Sequence, residues 1–320
     1  MARRGLSPLL VLALLGALTL VSIVLFMTWN ARGSWDFVLG FRGRKLWGMA
    51  LVAYAVAVST VLFQTVTANR ILTPSIMGFD ALYELVQTII VFTFGGLAFA
   101  MLDPQLRFAM NAGLMVVLSM LLFRWLFSGA VRSLHLLVLV GIVFGVLFRS
   151  VSNLLQRIIN PNEFAILQDA LFADFTAIDP TLLVLATGLL AATTVALLPL
   201  LPRLDVLLLG REPAIGLGVA HVRTVTAVLA IVAVQVSIST ALVGPVLFFG
   251  LLVANLAYLM MPSFRHRHVL PAAVMLGLVG LVGGQALFEH AFGYDTALSI
   301  IIEFSGGLTF LFLLLRGARR

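Results

Sequence analysis

Histidine is the residue type in this chain best suited to acid–base or metal chemistry, and there are five: His135, His221, His266, His268 and His290. They fall in predicted loops or at predicted span ends on both membrane sides, so they do not converge at one depth. His266 and His268, within the pentapeptide FRHRH, have a spacing that can hold a metal, but Arg265 and Arg267 make that loop electropositive and disfavour a cation. The pair reads as a cytoplasmic topology anchor, and no metal site is expected. No HExxH, GxSxG or GxxxxGK[ST] stretch occurs, so zinc hydrolysis, a serine nucleophile and nucleotide hydrolysis all lack a motif. The absence of cysteine excludes disulfides, thiolate metal sites and sulfur nucleophiles. Nothing here reads as an enzyme, and no cofactor is expected on the chain.

Carboxylates inside membrane spans would be another route to chemistry, because intramembrane charge is costly and marks ion or proton paths. Only Glu303 in the last expected span, with Arg149 and Glu289 near span ends, comes into question. A proton- or sodium-coupled carrier usually needs several such groups. Uncharged polar residues within spans include Gln64, Thr65, Thr67, Gln87, Asn153, Gln235, Ser237, Ser239 and Thr240. Gln64, Asn153, Gln235 and Ser239 are candidates for lining a pathway; hydrogen bonding from helix to helix is the competing role for each.

The elements that must position these residues are apolar helices. The chain is 62% hydrophobic and 10% charged over 320 residues, against about 25% charged in soluble domains. A β-barrel would need alternating polarity, whereas these runs are apolar on every side. The expected fold is all-α: a polytopic integral membrane protein of about ten transmembrane helices, forming one transmembrane domain over residues 1–320. Hydropathy places the spans at roughly 6–29, 46–68, 85–102, 107–127, 134–156, 181–201, 223–243, 246–261, 269–289 and 296–315. The eighth is short and follows the helix-breaking Gly244–Pro245 pair, which predicts a tight turn after the seventh. The N-terminus begins with Arg3 and Arg4 but has a long apolar run and no small-x-small cleavage site at its end, so it reads as an uncleaved first span.

An even number of spans puts both termini on one side. The cytoplasmic assignment gathers thirteen of the twenty basic residues there, among them Arg70, Arg203, Arg211, Arg223, Arg265 and Arg267. The net charge of +7 is thus a matter of membrane topology, and no nucleic-acid partner is expected. Seven remain outside, four of them packed into the first external loop against the rule's usual direction: Arg32, Arg42, Arg44 and Lys45. The last three are candidates for meeting acids on an external partner. Acidic residues also collect outside, most of them in the connection after the fifth span, whose interspersed apolar residues predict short interfacial helices.

One polar-punctuated insert interrupts the spans, residues 203–221, containing DVLLLGREPAIGLGVA from Asp205 to Ala220. Its LLLGREPAIGLGV core resembles the LxLGxxxAxxLGV signature of the FecCD family, the permeases of iron-siderophore and vitamin-type ABC importers, with Leu207, Leu209, Gly210, Ala214, Leu217 and Gly218 on the pattern. Further resemblances follow in order: RGRKLWGMA from Arg42, NRILTPSIMGFDA with Asn69, Pro74 and Gly78, VGPVLFFGLLVANLAYLM with Gly244, Pro245, Phe248, Gly250 and Leu251, and the closing SGGLTFLFLLLR. The chain departs from the family at Ala254–Asn255 and Tyr258, where many members have Pro-His and Arg, and at Gln285 and Glu289, near the usual Asp and Arg. The VANLAY variant resembles the branch serving catecholate-type siderophores.

The resemblance implies a permease subunit of an ATP-driven importer carrying ferric siderophore across the bacterial cytoplasmic (inner) membrane. It implies a second permease, homologous or identical, two ATPase subunits that bind ATP and Mg, and an extracytoplasmic siderophore-binding protein. Leu207, Leu209, Gly210, Arg211, Glu212, Ala214, Leu217 and Gly218 would then couple to the ATPase, as two short helices separated by Gly210. A gradient-driven secondary transporter and a metal-ion permease remain the alternatives, each expected to carry more intramembrane acidic or histidine residues.

Overall fold

The computed structural model describes residues 6–31, 34–128, 134–175, 178–289 and 304–308. Within them every regular element is helical, and six helices are long and apolar enough to cross a membrane. The expected tenth span, Glu303 and His290 lie outside the described residues, apart from 304–308.

Helix α1 (Pro8–Thr28) starts where sequence rules place a start: Ser7 caps the amide of Leu10, with proline in the first turn. Helix α2 (Trp35–Thr67) corrects the expected loop before the second span. It runs for 33 residues, roughly 50 Å, so its first turns, which carry Arg42, Arg44 and Lys45, are already helical. Helix α3 (Phe79–Phe94) also starts earlier than hydropathy predicts, because Asp80 and Glu84 lower the apolar signal of its first turns. It stops at Gly95, whose φ of 84° turns the chain into α4 (Gly96–Met101), so the single span expected at 85–102 is two helices.

Two further long helices follow, α5 (Pro104–Ser128) and α6 (Leu134–Gln156), and then the short α7 (Pro161–Leu171) forms within the acidic connection. Helix α8 (Pro180–Leu197) is capped by Asp179, whose carboxyl is held below its ordinary pKa by hydrogen bonds from Thr181. It passes through a 3₁₀ turn into α9 (Leu201–Leu207), giving 28 nearly continuous residues, roughly 42 Å against a hydrocarbon core of about 30 Å. It is thus longer than a crossing along the membrane normal needs. After α10 (Arg211–Gly216) come α11 (His221–Val243), the short α12 (Phe249–Met260) and α13 (His266–Leu278), which continues through a π turn at Val279–Gly283 into α14 (Gly284–Leu287).

Helices α2 and α11 form the centre, packed on each other and surrounded by α5, α8 and α13. Their most apolar windows are 67% and 72% buried, against 11% for α6, which faces outward. Lipid is as apolar as leucine, so shape and polar bonds must specify these contacts. Tyr54 and Thr194 join α2 to α8 at 2.5 Å, Trp47 donates to Thr187 at 3.1 Å, and Gln235 of α11 donates to Thr193 of α8 at 3.3 Å. Close approach does the same work between α3 and α6. Gly141 and Gly145 form a GxxxG step, and a Cβ added at Gly145 would lie 3.0 Å from the Gly78 Cα.

Candidate functional site

The insert between α8 and α11 is built from two short helices and two glycine corners. Gly210 separates α9 from α10 with φ 97° and ψ 171°, a conformation open in practice to glycine alone. A Cβ there would meet nothing closer than Pro213 Cδ at 3.9 Å. The requirement is therefore the turn itself; close backbone approach, the other reason to expect glycine, is absent among the described residues. At the far end Gly218, at φ 84°, donates to the Ile215 carbonyl at 2.9 Å while the Val219 amide reaches the Ala214 carbonyl at 3.0 Å. These bonds satisfy carbonyls that α10 would otherwise leave open.

Side chains of the insert divide by role. Leu207 and Ala214 are buried, together with Leu204, and hold α9 and α10 to the bundle. Leu209 and Leu217 are 60% and 64% exposed, with Leu208 and Ile215 half open beside them. Arg211 and Glu212 are exposed and lie 4.0 Å apart. An exposed apolar group beside charged side chains on such a corner is suited to docking another protein.

One polar chain, partly buried at Asp205 and buried at His266 and Thr65, ties this insert to the spans. Asp205 Oδ1, on α9, accepts from the backbone amide of His266 at 2.8 Å and contacts its Nδ1 at 2.7 Å. The other ring nitrogen, Nε2, lies 2.8 Å from Thr65 Oγ1 on α2. His266 is thus a buried bridging residue, which replaces its reading as a topology anchor. His268 points elsewhere, to Ser263 at 2.9 Å. Among the described residues no cluster of three or more His, Cys, Asp or Glu is placed to hold a metal.

The basic cluster is not an external loop. The Arg42 guanidinium lies on the carbonyls of Phe26 and Trp29, at 2.8 and 2.9 Å, closing the end of α1. Lys45 is buried and ion-paired with Glu289, which also accepts from Gln285 at 2.6 Å. Of the three, only Arg44 remains exposed, with Nε donating to the Gly40 carbonyl at 2.7 Å.

The four pathway candidates are not brought together. Gln64 is buried and donates to the Arg70 carbonyl at 2.7 Å, Gln235 and Ser239 are buried beside α8 and within the core, and Asn153 is exposed on the outer helix α6. A polar cavity of about 360 Å³ that hydropathy does not reveal lies instead between α3, α5 and α7, lined by Tyr83, Gln87, Arg107, Asn111 and Asp169. Charged residues within helices are also more numerous than expected. Each of two carboxylates is held by neighbours: Glu289 by Lys45, and Glu84 by Gln156 at 3.2 Å and Arg149 at 3.8 Å. Such pairs brace the helices that carry them.

With this geometry in view, comparison with known proteins is informative. The model of the FecCD transport family matches residues 7–316. The chain is 43% identical over 305 residues to the petrobactin import system permease protein YclO of Bacillus subtilis, covering 95% of this chain and 96% of that one. It is 35% identical over 317 residues to the petrobactin import system permease protein FatC of Bacillus anthracis, covering 98% and 90%. Among solved structures, an inward-facing transporter described as of metal-chelate ABC type superposes with a TM-score of 0.83 at 20% identity, over 97% of this chain and 99% of that one. At that identity the likeness speaks for the fold.

Proposed function

The chain belongs to the FecCD transport family, and from that premise we propose that it is the membrane-spanning permease subunit of an ATP-driven importer of ferric siderophore. The relatives named above point to a petrobactin-type, catecholate-type substrate. The membrane is the bacterial cytoplasmic one. The observation that carries the reading is the insert: a two-helix corner, turned at Gly210 and Gly218, that presents Leu209 and Leu217 exposed beside Arg211 and Glu212.

In this reading residues 203–221 form the coupling segment and dock in a groove of an ATPase subunit, which binds ATP and Mg. Two such subunits, a second permease identical or homologous to this one, and an extracytoplasmic siderophore-binding protein complete the assembly. Binding and hydrolysis of ATP favour different orientations of the spans, and the permease converts that preference into alternating access. The chain performs no covalent step. Its residues dock, transmit and shape a path at the interface of the two permeases. Arg44 remains available to meet acids on the binding protein.

Reconstitution tests this. The chain alone in proteoliposomes should accumulate no ferric siderophore under an imposed proton or sodium gradient, and adding the second permease, the ATPase and the loaded binding protein should start ATP-dependent uptake. Gradient-driven accumulation by the isolated chain would return a secondary transporter to first place.

A further inference from the structure

We propose that His266 is a positioning residue that carries displacement of the coupling segment into α2 and α13, an inference that rests on the importer reading above. Its first support is the two-point hold by Asp205. The amide of His266 belongs to the opening turn of α13, where helices leave donors without partners. The residue at the cap position, Arg265, makes no side-chain cap bond. The cap comes instead from Asp205 on α9, at 2.8 Å, and the same oxygen holds the imidazole at 2.7 Å. A carboxylate at a helix N-terminus is favoured by the helix dipole. Moving α9 therefore moves the cap of α13.

The second support is the reach to α2. A neutral imidazole with its proton on Nδ1 donates to Asp205 and accepts at Nε2 from the Thr65 hydroxyl, 2.8 Å away. Thr65 has an alternative acceptor in the Val61 carbonyl at 2.9 Å, so its hydroxyl proton can return to its own helix if the link opens. The link can thus be cut without leaving α2 with an unmet donor.

The third support is where it sits, buried at 2% exposure where two recesses meet. His266 lines both a cavity of about 210 Å³, shared with Thr65, Arg70, Leu207 and Tyr258, and an apolar groove of about 670 Å³, shared with Tyr54, Leu201 and Met275. Helices α2, α9 and α13 also pack on one another directly, and the Asp205–His266–Thr65 chain is the polar link that joins all three.

The test uses the complete assembly in proteoliposomes, measuring ATP hydrolysis and ferric siderophore uptake in the same vesicles. Thr65→Val should keep the ATPase subunits bound and hydrolysis within about twofold of wild type, while uptake per ATP falls about fivefold or more; Asp205→Ala should lower the same ratio. Asp205→Asn retains the accepting oxygen and should restore the ratio to within about twofold. An unchanged ratio in Thr65→Val and Asp205→Ala, beside normal wild-type uptake, overturns the inference alone. So does a fall that merely follows lost assembly or a lowered melting temperature and is not rescued by Asp205→Asn. Wild-type vesicles that hydrolyse ATP without uptake overturn the importer reading and this inference with it.

Discussion

Replacing Gly210 by alanine separates the two ways a glycine can matter. At φ 97° and ψ 171° the backbone occupies a region that side-chain-bearing residues adopt only at a cost of about 1–3 kcal/mol. The nearest atom to an added Cβ is 3.9 Å away, so no clash adds to that cost. At 1.4 kcal/mol per factor of ten, the corner should be populated roughly 5- to 150-fold less relative to relaxed alternatives. The bundle itself should be untouched, because Leu204, Leu207 and Ala214 still anchor the insert. Siderophore uptake by the full assembly in proteoliposomes should therefore fall within that range, with the melting temperature of the purified permease unchanged. Gly210→Trp should do at least as much, since it adds bulk at the docking face to the same backbone cost. Wild-type uptake by Gly210→Ala would refute the reasoning, for it would mean that the left-handed corner is not what the partner reads.

Four other outcomes follow from particular contacts. Lys45→Met should destabilise the permease by about 3–5 kcal/mol, and adding Glu289→Met should recover most of the loss, as thermal unfolding in detergent will register. Leu217→Asp, at a site 64% exposed, should change stability by no more than about 0.5 kcal/mol yet reduce co-purification of the ATPase. Gly145→Leu should force α6 away from Gly78, costing about 1–3 kcal/mol in the same unfolding assay. Arg44→Glu should slow association of the binding protein at low salt more than at high salt, measured by surface-immobilised kinetics, with folding unaffected.

Hydropathy locates most spans within a few residues, because a run of apolar side chains is a local property. It fails where polarity and helicity part company. Gly40, Gly43 and the basic residues around them read as a loop, yet α2 runs straight through them, since a helix leaving the apolar layer needs only its own hydrogen bonds and a neighbour such as the end of α1. Asp80 and Glu84 delay the expected start of α3 in the same way, and the break at Gly95 is invisible to a window average. The insert is legible because its glycines and leucines keep a spacing tied to one local shape. The partners of Asp205 and Lys45 are not, since they lie 61 and 244 residues further along the chain.

That separation bears on how the protein is made. The most enclosed long helices include α2, the second to leave the ribosome, yet the side chains that satisfy it come far behind: Thr187 and Thr194 after 140 residues, His266 after 201 and Glu289 after 244. At synthesis rates of roughly 5–20 residues per second, Lys45 waits roughly 10–50 s for its counter-ion. During that interval a buried cation and several hydroxyls must be tolerated at the insertion site, in lipid or against the translocation machinery. The clasp of Arg42 on the end of α1 is ready within 16 residues, so the first two helices can enter as a closed hairpin while the rest of the bundle is still being translated.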